Sequence, residues 1–270
     1  MREIDAYQNT QLYSKVFQHM RPDFGLLWAV CEALQPDVLA EFGCGNGRLL
    51  PIWLNTSCRS IWGLDCEEAM VKEFAAAGDE RVRVKVADLR DNVPELAEAN
   101  VVILTSSVLK HLKPADRQLA LSALCDNLSA NAVLYLDHCA YLYGVAQSTP
   151  WRTYFESLMH WWPEERRAAL KKVSWKKDVE DYIDNLSYRD DVTGESAQIH
   201  TYAYFLDELR NDIAACGLQQ QQISDRFPAP THLEGMQRYV AVLARKEMPS
   251  RTLENIAAKI RHLAFGGGRL

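Results

Sequence analysis

Apolar and polar residues follow each other in blocks along the first half of the chain, and the blocks have the lengths of strands and helices. Short apolar runs predict five strands, at 38–42, 60–64, 82–86, 101–105 and 132–137. Helical spacing of apolar residues between them predicts helices at about 47–54, 67–77, 92–98 and 115–128. This alternation predicts right-handed βαβ units and a mostly parallel sheet with helices on both faces.

The pattern differs on either side of this α/β core. Residues 7–34 have apolar positions at helical spacing, interrupted by Pro22 and Gly25, which predicts two short N-terminal helices. Residues 139–204 are rich in tyrosine and tryptophan and include charged runs, and we interpret them as an inserted helical cap. After the cap we expect a helix that ends at Gly217, followed by two strands and a C-terminal helix, near 219–225, 237–244 and 251–263.

Composition limits the class of protein. The chain has 270 residues, of which 48% are hydrophobic and 24% charged, and these values are typical of a soluble globular protein. The net charge of −6 argues against a protein whose main task is to bind nucleic-acid phosphates. Residues 1–10 lack the apolar core of a signal peptide, and no apolar run approaches membrane-spanning length. Seven scattered cysteines without a Cys-x-x-Cys pair indicate neither a disulfide framework nor a metal site. We therefore expect a cytoplasmic protein with no nucleic-acid or membrane partner.

The segment 38–50 contains the strongest chemical signal. An apolar strand ends in Glu41, and glycines follow at alternate positions, Gly43, Gly45 and Gly47, before an apolar helix begins. A dinucleotide-binding turn has the spacing Gly-x-Gly-x-x-Gly, but Arg48 stands where that pattern needs its last glycine. Glu41 would also repel a pyrophosphate. The turn therefore disfavours NAD and FAD and favours a cationic ligand.

These residues resemble the first motif of the class I S-adenosylmethionine-dependent methyltransferases of the small-molecule type, which has the form acid-x-Gly-x-Gly-x-Gly. Further segments resemble later motifs of that family in the expected order: 61–65 with Asp65, 84–89 with Asp88, the "VLxHL" segment within 103–112, and the late helix and turn at 208–218. The resemblance covers about 36–138 and 203–245.

The resemblance implies a Rossmann-like, seven-stranded, mostly parallel sheet and S-adenosylmethionine as the cofactor. It implies that Asp65 takes both ribose hydroxyls and that Asp88 lies near the adenine amino group. The implied cofactor-binding residues are Glu41, Gly43, Gly45, Gly47, Asp65, Cys66, Asp88, Leu89, Thr105 and Ser106. The implied layout is an N-terminal helical cap (1–35), a cofactor-binding core (36–138), the inserted cap (139–204), the end of the core (205–247), and a C-terminal helix with a tail (248–270).

Methyl transfer is an in-line displacement, so the protein must mainly align the reacting atoms and exclude water. Residues of the two caps are expected to face the acceptor: Tyr7, Tyr13, Arg21, Trp151, Tyr154, Trp162 and Tyr202. An oxygen acceptor calls for a general base, and Asp137 and His138, at the end of the fifth strand, are the candidates, with His200 as a more remote one. An amine acceptor needs no base, and His111 is expected to be a packing residue.

The predicted activity is methyl transfer to an oxygen or nitrogen of a small, flat or aromatic metabolite, by a monomer or homodimer. Two alternatives stay open. The target is a protein or RNA docked by Lys171, Lys172, Lys176 and Lys177, although nearby acids balance this cluster; or the chain is a non-enzymatic interaction protein.

Overall fold

The part of the chain that the structure describes forms two β-sheets, one of which is covered by helices. The computed structural model describes residues 4–5, 7–19, 21, 23–106, 108–141, 172–178, 183–189, 193–202, 204–224 and 236–266. The described strands are β1 (Ile4–Asp5), β2 (Val38–Phe42), β3 (Ser60–Asp65), β4 (Val82–Val86), β5 (Val101–Leu104), β6 (Val133–Tyr141), β7 (Lys172–Asp178), β8 (Ile183–Arg189), β9 (Ser196–Tyr202), β10 (Leu218–Ser224) and β11 (Met236–Arg245). The described helices are α1 (Thr10–Phe17), α2 (Phe24–Leu34), α3 (Leu50–Leu54), α4 (Glu68–Ala75), α5 (Pro114–Asn127), α6 (Leu206–Ala215) and α7 (Ser250–Phe265), and 3₁₀ turns cover Pro94–Ala97 and Val108–His111.

The larger sheet has seven strands in the order β4-β3-β2-β5-β6-β11-β10. Strands β2 to β6 pair in parallel, and β11 runs antiparallel to both of its neighbours. Each strand predicted for this sheet is present, with ends that differ by a few residues. The predicted Rossmann-like, mostly parallel sheet is therefore confirmed.

Helices cover both faces of this sheet, which is why its central strands are continuous apolar runs. All five residues of β2 are buried. Val38, Ala40 and Phe42 belong to the core shared with α5 and α6, whereas Leu39 belongs to the core shared with α2, α3 and α7. The alternation places Glu41 on the α3 side, away from α5.

Two predicted helices are shorter in the structure. The helix predicted at 47–54 begins only at Leu50, after a glycine turn in which Gly47 has a φ of +81°. The segment predicted as a helix at 92–98 is the 3₁₀ turn Pro94–Ala97. The predicted helix at 251–263 is α7, whose buried stripe of Leu253, Ala257 and Ile260 packs within this chain.

The prediction of a helical cap at 139–204 is wrong for the residues that the structure describes there. They form the end of β6 and the strands β7, β8 and β9, and β1 joins the latter three in a four-stranded sheet of order β1-β9-β8-β7. In β9, Ala197 and Ile199 are buried and alternate with more exposed residues, which is the period of a strand. The lysine cluster falls largely on β7 rather than on a helix. Trp151, Tyr154 and Trp162 lie outside the described residues.

Among the described helices, none combines the length and the apolar composition needed to cross a membrane.

Candidate active site

A cavity of about 390 Å³ opens at the carboxyl ends of β2, β3, β4 and β5. This is the place where open α/β sheets bind their ligands, because the loops that follow the strands meet there. The cavity is lined by Tyr7, Tyr13, Phe42, Gly43, Gly45, Asp65, Cys66, Glu67, Ala87, Asp88, Leu89, Ser106, Val108, His111, Leu112, His200 and Tyr202.

The glycine turn after β2 forms the floor of the cavity. Gly43 and Gly45 both have left-handed φ values, +74° and +53°. A Cβ atom on Gly43 would lie 2.4 Å from Cγ2 of Val108, so this glycine is needed for close packing. A Cβ atom on Gly45 would meet only the hydroxyl of Tyr13, at 4.0 Å, and would project into open space. Gly45 therefore leaves a cradle in which a ligand can lie against the backbone.

Asp65, at the end of β3, is held in the cavity wall by backbone donors. The amide of Gly45 donates to Oδ2 at 2.9 Å, and the amide of Glu67 donates to Oδ1 at 3.0 Å. Burial raises the pKa of Asp65 despite these hydrogen bonds. Each oxygen keeps a further lone pair, so the oriented carboxylate can accept two hydroxyl donors at once.

Asp88, after β4, is oriented by a different partner. The guanidinium of Arg90 donates from Nε to Oδ1 at 2.8 Å and from Nη2 to Oδ2 at 2.7 Å. These hydrogen bonds lower the pKa of Asp88, so the group stays ionised. Arg90 is itself tied to Asp116 at 3.2 Å, which fixes the ion pair at the rim of the cavity.

Glu41 lies beneath the cavity and not in its wall. It is 3% exposed, and Nε1 of Trp53 donates to its Oε2 at 2.6 Å. Burial raises the pKa of Glu41 to about 8. The expected direct contact of Glu41 with a cationic ligand is therefore not present in this geometry. Gly47 and Thr105 do not line the cavity either, whereas the other seven predicted cofactor residues do.

Tyrosine and histidine side chains form the opposite wall. The Tyr7 hydroxyl and Nε2 of His111 are hydrogen-bonded at 3.1 Å, and the two rings meet edge to face with centroids 5.3 Å apart. Tyr13 lies beside Tyr7 at a centroid distance of 5.5 Å. On β9, His200 and Tyr202 are in edge-to-face contact at 5.2 Å.

The tyrosines of this wall, Tyr7, Tyr13 and Tyr202, were predicted to face the acceptor, and all three line the cavity. His111 was expected only to pack. Its place in the "VLxHL" segment directly after β5, at the carboxyl edge of the sheet, was the signal for its exposure to the cavity. Arg21 does not line the cavity, and its guanidinium lies 4.5 Å from the ring centroid of Phe24.

The two residues predicted as a general base do not reach the cavity. Arg238 of β11 donates from Nε to Oδ1 of Asp137 at 2.9 Å and bonds the second carboxylate oxygen as well. His138 is 0% exposed, and neither ring nitrogen has a hydrogen-bond partner among the described residues. Burial lowers its pKa well below the ordinary value. Asp137 and His138 are therefore buried side chains of β6 that do not line the cavity. This geometry corrects the prediction that they supply a general base.

Comparison with known proteins shows which family this geometry resembles. The family model described as a methyltransferase domain matches residues 39–131, which include the glycine turn, Asp65 and Asp88. This part of the chain is therefore similar to a methyltransferase domain. No curated protein matches the chain.

Solved structures share the fold of the matched segment and of its surroundings. An S-adenosylmethionine-dependent methyltransferase from Clostridium acetobutylicum superimposes with a TM-score of 0.62 at 12% identity, over 88% of this chain and 98% of that one. CalS10, an amino pentose methyltransferase from Micromonospora echinaspora, gives 0.56 at 16% identity, over 83% and 91%. KedS8, a sugar N-methyltransferase from a Streptoalloteichus species, gives 0.53 at 14% identity, over 82% and 86%. The predicted class I methyltransferase fold is thus confirmed.

The residues present fit S-adenosylmethionine, the cofactor in the name of the Clostridium acetobutylicum structure. Gly45 provides the cradle for a ligand that lies against the backbone, and Asp65 provides a carboxylate oriented for two hydroxyl donors. Asp88 adds an ionised acceptor one strand further along the sheet.

Proposed function

We propose that this protein transfers a methyl group from S-adenosylmethionine to an oxygen or nitrogen of a small molecule. The observation that carries the proposal is the composition of the cavity. One wall holds the glycine turn and the strand-end carboxylates, and the other holds tyrosine and histidine side chains from the N-terminal segment, the turn after β5, and β9. Such a cavity offers binding groups for a cofactor on one side and for a polar acceptor on the other.

The residues of the first wall would bind and orient the cofactor. Asp65 would accept the two ribose hydroxyls, and Asp88 would accept a hydrogen bond from the adenine amino group. The cofactor supplies an activated methyl group on a positively charged sulfur. The rings of Tyr7 and Tyr13 support binding of such a charge, since cation–π attraction contributes about 0.5–2 kcal/mol.

A small acceptor is favoured by the way the cavity is enclosed. The N-terminal segment lies across the glycine turn, where Nδ2 of Asn46 donates to Oγ of Ser14 at 2.7 Å. Strand β9 closes the other side with His200 and Tyr202. CalS10 and KedS8, whose names give an amino sugar and a sugar nitrogen as their targets, have the same fold. A compact acceptor with hydroxyl or amine groups is consistent with the hydrogen-bonding side chains of this wall.

If the acceptor is a hydroxyl group, its proton would pass to an imidazole of the cavity. The imidazoles that line it are those of His111 and His200, and the Tyr7 hydroxyl holds the His111 ring in place. The pH profile of turnover, measured for His111→Asn and His200→Asn, would identify which ring takes the proton.

The test of the proposal is calorimetric binding of S-adenosylhomocysteine to the protein and to Asp65→Ala. We expect micromolar affinity for the protein and a loss of at least about tenfold for the variant, because two hydrogen bonds to a charged acceptor are removed. Glu68→Gln is the matched control, since Glu68 is an exposed acid on α4 that pairs with Lys72 and does not line the cavity. Equal affinity in the protein and Asp65→Ala would refute the assignment of the site. Assay of the loaded enzyme on a panel of hydroxyl- and amine-bearing small molecules then tests the acceptor class.

A further inference from the structure

Ser106 has an unusual backbone conformation for a residue with a side chain. Its φ is +54°, and among the described residues the only other non-glycine residue with a positive φ is Gln35, which ends α2. Ser106 follows β5 directly and lines the cavity. The left-handed region is unfavourable for residues other than glycine and persists only where neighbouring groups hold it.

The side chain of Ser106 is hydrogen-bonded to an ion pair. Nη2 of Arg48 donates to Oγ of Ser106 at 2.9 Å. The same guanidinium donates to both carboxylate oxygens of Asp23, at 2.8 Å and 2.7 Å. A two-point hydrogen bond of this kind leaves the planar guanidinium little freedom to rotate.

The ion pair is largely buried, so solvent does not compete strongly for its hydrogen bonds. The side chain of Asp23 is 7% exposed and that of Arg48 is 15% exposed. Burial opposes ionisation of Asp23, but the charge of Arg48 and its hydrogen bonds outweigh this effect and lower the pKa of Asp23. The pair therefore stays charged over the ordinary pH range.

The three residues connect the glycine turn after β2 with the turn after β5. Arg48 directly follows the glycine turn, and Ser106 begins the turn that carries Val108. The Val108 side chain covers Gly43, and its amide donates to the carbonyl of Thr105 at 3.2 Å. A shift of Ser106 would therefore move Val108 relative to the glycine turn.

We propose that Asp23, Arg48 and Ser106 form a positioning relay, which fixes the distance between the glycine turn and the cavity wall after β5. In this role the Ser106 hydroxyl acts on the backbone through Arg48 and does not contact the ligand. The inference concerns the cofactor cavity and in that respect rests on the proposed function.

Three substitutions of Ser106 separate the conformation from the hydroxyl group. Ser106→Gly removes the hydroxyl but adopts a positive φ without strain. Ser106→Ala removes the hydroxyl and keeps the strain, and Ser106→Thr keeps a hydroxyl on a β-branched side chain that disfavours a positive φ. We expect S-adenosylhomocysteine affinity, measured by calorimetry, to fall about tenfold in the Ala and Thr variants and clearly less in the Gly variant.

A double-mutant cycle tests the link to Arg48. Arg48→Lys keeps the positive charge beside Asp23. Its ammonium group lacks the planar set of donors with which the guanidinium bonds both oxygens of Asp23 and the hydroxyl of Ser106. The substitution should weaken S-adenosylhomocysteine binding about tenfold in the protein and much less in the Ser106→Gly background, where the conformation needs no support. Equal losses in the two backgrounds, equal losses in Ser106→Ala and Ser106→Gly, or unchanged affinity in Ser106→Ala would each overturn the relay.

Thermal unfolding without ligand keeps the two proposals apart. The relay predicts that Arg48→Lys lowers the unfolding temperature more in the unsubstituted protein than in the Ser106→Gly background, because only a residue that is strained at this φ depends on Arg48. If S-adenosylhomocysteine did not bind to the unsubstituted protein, the proposed function would fail, and this difference in unfolding temperatures would still test the relay. Equal losses in the two backgrounds would overturn it.

Discussion

Glu41, Asp65 and Asp88 stand at or just beyond the ends of three neighbouring strands, yet each carboxyl group has a different partner. Glu41 receives an indole N–H below the cavity, Asp65 receives backbone amides in its wall, and Asp88 is paired with an arginine at its rim. The environment of each acid therefore decides its charge. Of the three acids, Glu41 has the pKa that differs most clearly from its ordinary value.

We predict that Glu41 makes stability fall as pH rises. Its pKa is about 8 in the folded protein, against 4.5 as the ordinary value, so the folded state binds more protons between these values. The free energy of unfolding should therefore fall with rising pH in this window, by at most about 1.4 kcal/mol per pH unit from this group. Glu41→Gln, which cannot ionise, should show a shallower fall. Denaturant unfolding at about pH 5.5 and about pH 7.5 measures both slopes. Identical slopes would contradict the prediction.

At the scale of elements, the contact between α4 and β3 depends on a residue without a side chain. Phe74 of α4 is fully buried and its ring lies over Gly63 of β3. A Cβ atom on Gly63 would lie 2.6 Å from two ring carbons. The close approach brings α4 down onto the strand whose end carries Asp65.

We predict that Gly63→Ala destabilises the protein by about 1–3 kcal/mol, because the ring or the helix must shift to make room. Gly25→Ala is the matched control. Gly25 lies in the first turn of α2, and a Cβ atom there would meet nothing within 4 Å. The control should leave stability unchanged or raise it by up to about 1 kcal/mol. Chemical denaturation measures both variants, and a neutral Gly63→Ala would show that the contact is looser than described.

The sequence was sufficient to predict the elements of the larger sheet, because buried parallel strands are continuous apolar runs separated by helical spacing. The sequence does not predict β7, β8 and β9, because the many aromatic residues at 139–204 favour the interpretation of this segment as a helical cap. The short alternation of Ala197 and Ile199 was the better guide to β9.

The site residues could also be predicted only in part. Seven of the ten predicted cofactor residues line the cavity, since the carboxyl ends of parallel strands meet at one edge of the sheet. The role of Asp137 could not be predicted from its position at a strand end. Its partner Arg238 lies 101 positions away in the chain, and only the pairing of β6 with β11 brings the two together.

At the scale of the whole molecule, the cavity joins parts of the chain that are far apart in sequence. Its walls combine the N-terminal segment, the loops after four parallel strands, and β9. A ligand that contacts all of them binds only the folded arrangement, so binding and global stability are linked.

We predict that S-adenosylhomocysteine, at about 100 times its dissociation constant, stabilises the fold by about 2.7 kcal/mol. For a protein of this size, the unfolding temperature should rise by roughly 5–10 °C. Thermal unfolding followed by circular dichroism measures the change. NAD at the same concentration should give no rise, since the glycine spacing disfavours a dinucleotide. A comparable rise with NAD, or none with S-adenosylhomocysteine, would count against the cofactor assignment.

The pairing of β1 with β9 has a consequence for the order in which the protein assembles. Ile4 pairs with Ala197, so β1 finds its partner only after β9 has been synthesised. Contacts of such wide sequence separation form late, because the intervening chain must first be brought together. Strand β1 is therefore expected to be among the last strands to dock, and the side of the cavity that the N-terminal segment and β9 form together exists only once β9 has been synthesised.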